Sequence, residues 1–405
     1  MLPAAWRARL VKRGPLPWLG AAWLAGPVAS TVDVGATGQP VGGVWWWQLA
    51  TLVLLVTYAV GVVRARRLAV ADGLPTAGVG LPVLRRWHAA AAIGWAVLAT
   101  IAAAQAVADI AAWHHVWSFA GAAVLIVVAP PRVVGADAVR WLGLGTVLLA
   151  AWTVAVSVGQ LDVLTEPVGF YRFKQDVVVA VAAHNVLAGF LIAGLPAVAV
   201  LTLRRGRWWL GVLLVAGALT VCLSRGALVA GAGAALLCAV TVRDRSLALR
   251  TGAGVLLAVI GVATVLASVG AELPPASDAS SVQSRIALWG VALDAGLAAP
   301  VTGVGFDGIA DESVAAGLRG HEHGHDLPLH AFAVAGLPGL LAIILSWGGL
   351  LVGAWQQLDQ TRRTVLVTGV IALGAQAMID EVALRPATVG LLALLTVIAA
   401  APREP

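Results

Sequence analysis

Residues 208–242 read WWLGVLLVAGALTVCLSRGALVAGAGAALLCAVTV, with Arg204, Arg205 and Arg207 before them and Arg243 and Arg245 after. The run is apolar almost throughout and carries one charge, Arg225, near its middle. Each half approaches the roughly 20 residues that a helix needs to cross a bilayer. A transmembrane β-strand would alternate apolar and polar residues in short segments, whereas this run is continuous and rich in Ala, Leu and Val. The stretch therefore predicts two spanning helices that meet at Arg225. The rest of the chain repeats the theme. Of 405 residues 60% are hydrophobic and 11% are charged, against about a quarter charged in ordinary soluble domains, and the mean hydropathy is +0.91. A soluble protein is excluded, and the sequence predicts an all-α integral membrane protein.

Apolar runs between charge clusters give about 12 transmembrane helices, centred near Ala22, Leu54, Val97, Val124, Leu149, Phe190, Val215, Ala234, Val259, Leu341, Val370 and Leu392. Basic residues recur at every second connection: 20 of the 26 fall on one side, and 15 of the 20 acidic residues on the other. By the positive-inside rule the basic side is cytoplasmic and both termini lie there. The net charge of +6 thus serves orientation and implies no nucleic-acid partner. The N-terminal apolar run reads as a retained first helix rather than a cleaved signal. Cys222 and Cys238 both fall inside apolar runs, as small core residues do. No repeat and no long linker divides the chain, which reads as a single polytopic membrane domain, residues 1–405.

One connection differs from the others. Residues 271–329, between helices 9 and 10, form a large extracytoplasmic loop, and loops of that length are usually functional. A smaller outer loop, about residues 160–176, carries Lys174. Four constellations could carry chemistry. In Ser224-Arg225-Gly226 the guanidinium either snorkels at a tight turn or binds an anion, for which its planar fork is suited. In Ser284-Arg285 through Trp289, Arg285 shares a helical face with Leu288 and Ala292 and could be only a solvated side; Gly303 and Gly305 after Pro300 permit a tight turn. In Gly320 through His330, four histidines within ten residues could hold a metal, sense pH, or supply a general base or acid. His184-Asn185 could be an interhelical hydrogen-bonding pair or act directly. His88, His114 and His115 beside tryptophans read as interfacial anchors, as do Trp45 to Trp47.

Taken in order, these pieces resemble the O-antigen ligase and O-antigen polymerase superfamily of bacterial membrane glycosyltransferases. The resemblance spans roughly residues 175–345. It rests on His184-Asn185-x-x-Ala188-Gly189-Phe190, Ser224-Arg225-Gly226, Arg285-x-x-x-Trp289, Pro300-x-x-Gly303-x-Gly305, His323-x-His325-Asp326-x-x-Leu329 and Gly336-Leu337-x-Gly339. The family transfers a glycan from a polyprenyl diphosphate carrier to an acceptor at the outer face of the plasma membrane. It uses neither nucleotide sugar nor metal, so the resemblance implies no cofactor. It further implies that Arg225 and Arg285 hold the diphosphate and that His325, eleven residues before Gly336, is the essential loop histidine. His323, Asp326, Asn185 and Lys174 would support them. The chain departs from the pattern with Asp326 where Asn is usual and Val334 where an acidic residue is common.

The implied chemistry is coherent. Cleaving the bond from anomeric carbon to phosphate leaves growing negative charge on the diphosphate, which guanidiniums in a partly dehydrated cleft stabilise. A neutral His325 accepts the proton of the acceptor hydroxyl as it attacks from the opposite face, inverting the centre. Asp326, Glu322 or Asp307 would orient the imidazole. The expected partners are the lipid-linked donor, a glycan, lipid or protein acceptor, and the bilayer of the bacterial inner membrane. A polymerase of carrier-linked repeat units shares every one of these residues. A flippase or secondary transporter also fits twelve spans, but transporters place charge near the bilayer midplane, and here polar groups gather at the outer end.

Overall fold

The computed structural model describes residues 86–106, 113–128, 138–159, 184–205, 209–222, 224–241, 246, 250, 280–306, 308–318, 326–379 and 386–399. Among the described residues every regular element is a helix. In chain order they are α1 (Arg86–Ala106), α2 (Trp113–Val128), α3 (Ala138–Val158), α4 (His184–Arg205), α5 (Trp209–Cys222), α6 (Arg225–Thr241), α7 (Ser280–Ala298), α8 (Gly308–Ala315), α9 (Leu327–Gln357), α10 (Gln360–Ala377) and α11 (Pro386–Ala399). The expected span centres Val97, Val124, Leu149, Phe190, Val215, Ala234, Leu341, Val370 and Leu392 fall on α1 to α6 and α9 to α11. The centres near Ala22, Leu54 and Val259, and both termini, lie outside the described residues. By length and composition α1, α4 and α9 can each cross a bilayer, while α2, α3, α5 and α11 are shorter apolar helices.

α4 forms the middle of the bundle, packed on α3, α5, α6 and α10. Leu187, Leu191, Leu195 and Val198 along it are buried, as are Val365, Val370 and Leu373 of α10. Large apolar side chains at the periphery, including Trp117, Leu148, Trp152, Leu213, Leu341 and Ile344, are instead exposed. An apolar exterior of this extent is what a lipid-facing surface requires. With no hydrophobic drive between helices in lipid, close approach must come from small residues. A Cβ on Gly94 of α1 would meet Ser346 and Ala342 of α9, one on Gly349 would meet the Trp87 carbonyl, and one on Gly369 of α10 would meet the Ala193 carbonyl of α4. Hydroxyls inside the helices turn back onto their own chain, as Thr146 donates to the Leu142 carbonyl (2.7 Å) and Ser346 to the Ala342 carbonyl (2.8 Å). These hydroxyls thereby keep a partner without reaching lipid.

These contacts also set directions. Gly94 lies at Ala342 and Gly349 at Trp87, so α1 and α9 are antiparallel. Gly369 lies at Ala193 and Gln376 at Asn185, so α4 and α10 are antiparallel too. Two residues, Leu358 and Asp359, join α9 to α10. Asp359 caps α10 by accepting from the Arg362 N–H at 3.0 Å and pairs with the Arg362 guanidinium at 3.2 Å. One end of the bundle therefore gathers the C-terminal ends of α1 and α10 with the N-terminal ends of α4 and α9. These are the ends that the charge pattern puts outside.

Candidate functional site

The expected loop and tenth span join in a way the sequence only half announces. α9 is broken at Gly336, whose φ of 62° and ψ of −162° are non-helical and belong to a region that only glycine visits readily. Two residues later stands Pro338, which has no N–H, so the Val334 carbonyl loses its partner one turn on. The Leu337 N–H turns away as well and donates to the Pro300 carbonyl at 2.8 Å. The carbonyls of Ala333 and Val334 are thus left unpaired by α9 itself, at a cost of several kcal/mol each in an apolar medium. The turn after α7 restores them: the Val304 N–H donates to the Ala333 carbonyl (2.8 Å) and the Gly305 N–H to the Val334 carbonyl (3.2 Å). Gly303 and Gly305 adopt φ of 67° and 95° to do so. A Cβ on Gly303 would run into the Val334 backbone, and one on Gly336 would sit 2.7 Å from the Pro300 carbonyl oxygen. The two glycine motifs, thirty residues apart, are two halves of one backbone joint.

That joint holds α7 on α9. Gly296 of α7 abuts the Phe332 ring, and Pro300 and Val301 abut Gly336. Contacts thus advance in step along both segments, and the N-terminal part of α7 extends towards the start of α9. The buried stripe of α7 is Leu288, Ala292 and Ala295, and Arg285, partly exposed, continues it by one turn. Arg285 is therefore not the solvated side of an amphipathic helix: it stands on the packed face, and the opposite face exposes Ile286, Leu293 and Leu297. The start of α9 follows directly on His325. Asp326, 8% exposed, is its N-cap and accepts from the Leu329 N–H at 2.9 Å. Burial raises the Asp326 carboxyl above the ordinary carboxylate range, and the Leu329 hydrogen bond draws it partly back. Asn caps as well as Asp, which accounts for Asp326 standing where Asn was expected. His330, one turn on, is buried.

The other expected residues are distributed as follows. Arg225 is the first residue of α6, preceded by buried Ser224, whose hydroxyl accepts from the Ala227 N–H at 3.4 Å. α5 packs on α4 and α6 packs on α4 and α10. Asn185 is the second residue of α4, and its backbone carbonyl accepts from Gln376 Nε2 at 2.7 Å, a bond between two helices made by the main chain rather than by the Asn185 side chain. His323, His325, Lys174, Glu322 and Asp307 lie outside the described residues. Among the described residues no cluster of His, Cys, Asp or Glu could hold a metal ion.

Of the histidines read as interfacial anchors, His88 and His115 need correction. His88 is buried, 4% exposed, on the stretch of α1 that meets Gly349. The His115 ring stacks on Phe306 (centroids 4.4 Å) and on Phe119 (5.8 Å), in a cluster continued by Trp95. Two polar residues escaped notice in the sequence. Gln105 and Gln376 are lone amides near the ends of apolar runs, and their scarcity there was the signal available.

A family model described as O-Antigen ligase matches residues 210–344. That segment runs from α5 through Arg225, Arg285, the 300–305 turn and the break in α9. No curated protein matches the chain. Residues 210–344, which hold the whole joint between α7 and α9, are in this way similar to the O-antigen ligase family.

Proposed function

We propose that the protein transfers a glycan from a polyprenyl diphosphate carrier to an acceptor at the outer face of the bacterial inner membrane, as a multi-pass transferase of twelve spans. The observation that carries this reading is the joint between residues 300–305 and 333–337. It fixes α7, the bearer of Arg285, against α9, whose first turn follows directly on His325. Arg225 comes to the same end of the bundle at the start of α6. In this reading the guanidiniums of Arg225 and Arg285 bind the two phosphates and take up the charge that develops as the anomeric C–O bond breaks and polyprenyl diphosphate leaves. The acceptor hydroxyl forms the new bond from the opposite face and passes its proton to His325. Asp326 holds the first turn of α9, and so the backbone beside His325, rather than acting as a base. His323, Lys174 and Asn185 have supporting roles in binding. Apolar grooves between spans receive the prenyl chain, and no cofactor is required.

The test is turnover of purified full-length protein in liposomes with a lipid-linked glycan and an acceptor, read as polyprenyl diphosphate released. Arg285→Ala, Arg225→Ala and His325→Ala each lower the rate by on the order of 10²-fold or more while inserting normally. Undiminished transfer by His325→Ala refutes its role. Product sizes then separate a ligase, which moves a finished chain, from a polymerase, which lengthens the carrier-linked one.

A further inference from the structure

We propose that Gln105, which lies on α1 outside the segment the family model matches, is a positioning residue for this transfer reaction. Its single amide grips both halves of the joint. Gln105 Nε2 donates to the Val334 carbonyl at 2.9 Å and to the Thr302 carbonyl at 3.4 Å, and Oε1 accepts from the Phe306 N–H at 3.2 Å. These three backbone groups lie before the turn, after the turn and at the break of α9. The Val334 carbonyl is the one that Pro338 deprives of a helical partner, and the Gly305 N–H reaches it only at 3.2 Å. An amide is the one side-chain group of this length that offers two N–H donors and an acceptor in one plane. Asn would fall short by a methylene, and a carboxylate would turn a second acceptor towards two carbonyls. Gln105 thus locks α7 to α9 from the side, through a helix that itself runs antiparallel to α9 along its length. It touches neither donor nor acceptor; it acts through the relative placement of Arg285 and the chain at His325.

The proposal rests on the transfer reaction proposed above, and two readouts keep their fates apart. In hydrogen exchange on the full-length protein, Gln105→Leu accelerates exchange of residues 300–306 and 333–337, while the rest of α9 keeps its wild-type rate. In the transfer assay Gln105→Leu lowers kcat by on the order of 10²-fold, the scale of a misplacement of about 1 Å, with KM for the lipid-linked donor little changed. Gln105→Glu supplies the sharper discriminator. Its protonated carboxyl donates one O–H to Val334 and accepts from Phe306, so it replaces two of the three bonds; its carboxylate replaces one and repels two carbonyls. The activity of Gln105→Glu relative to wild type therefore falls as pH rises. Unchanged exchange at 300–306 in Gln105→Leu, or a flat activity ratio with pH in Gln105→Glu, overturns the proposal. If the wild-type chain transfers no glycan, the function reading fails and the exchange result alone decides whether Gln105 locks the joint.

Discussion

At the scale of single residues, the site depends on groups that hold backbone rather than on charges alone. Asp326 shows this. Its side chain satisfies an N–H that the first turn of α9 would otherwise leave unpaired, so Asp326→Ala costs about 1 kcal/mol, seen as a lowered unfolding midpoint in detergent, whereas Asp326→Asn keeps the cap. The pH dependence has a definite sign. Burial raises the native carboxyl above its unfolded value, so its contribution to stability is fully present below the unfolded pKa and is lost as pH rises through the raised native one. Midpoints measured from ~pH 4 to ~pH 8 are expected to show Asp326→Asn gaining on wild type as pH increases; a constant difference contradicts the burial effect. Gln376 is the opposite case. It donates to the Asn185 carbonyl, but its own Oε1 is buried without a hydrogen-bond partner. Gln376→Leu removes a favourable bond and an unsatisfied group together, and the net change in stability stays within about 1 kcal/mol.

At the scale of elements, α9 is two helices that meet at a break completed by another segment. Gly336 and Pro338 interrupt it, and the turn of residues 303–305 exists to complete what they leave open. The double substitution Gly336→Ala with Pro338→Ala restores helical φ and an N–H at position 338, which favours a continuous α9. The Val334 carbonyl then finds a partner within α9, the Gly305 N–H is displaced, and α7 detaches. Loss of hydrogen-exchange protection at residues 303–305 with protection retained in α9 is the expected result, accompanied by loss of transfer. Retained protection at 303–305 would show that the turn docks independently of the break. The length of α9 agrees with this division: the stretch from Leu337 to Gln357 rises about 30 Å, enough by itself for the ~30 Å hydrocarbon core, so the part before Gly336 is free to serve the loop layer.

At the scale of the whole molecule, antiparallel contacts along α1 with α9 and α4 with α10 bring Gln105, Asn185, Asp326 and Gln376 to one end. If the charge pattern orients that end outward, Glu322→Cys in a cysteine-free chain reacts with an impermeant maleimide in intact cells, and Gln357→Cys reacts only after permeabilisation; the reverse pattern inverts the assignment. Helical class and nine of the helix positions, three of them long and apolar enough to cross a membrane, were legible because hydropathy is a local property, additive along the chain. The likeness to the O-antigen ligase family over residues 210–344 was legible from short motifs in order, and the Gly-x-Gly after Pro300 did mark a turn. What the turn is for was not legible, because hydrogen-bond partners thirty residues apart leave no local trace. The face of Arg285 was equally hidden. Its stripe with Leu288 and Ala292 reads from the chain alone as easily solvated as packed, and it took the docking of α7 on α9 to settle which. Gln105 was invisible for the same reason: a polar residue in an apolar run announces a partner, but only packing in three dimensions says which backbone it grips.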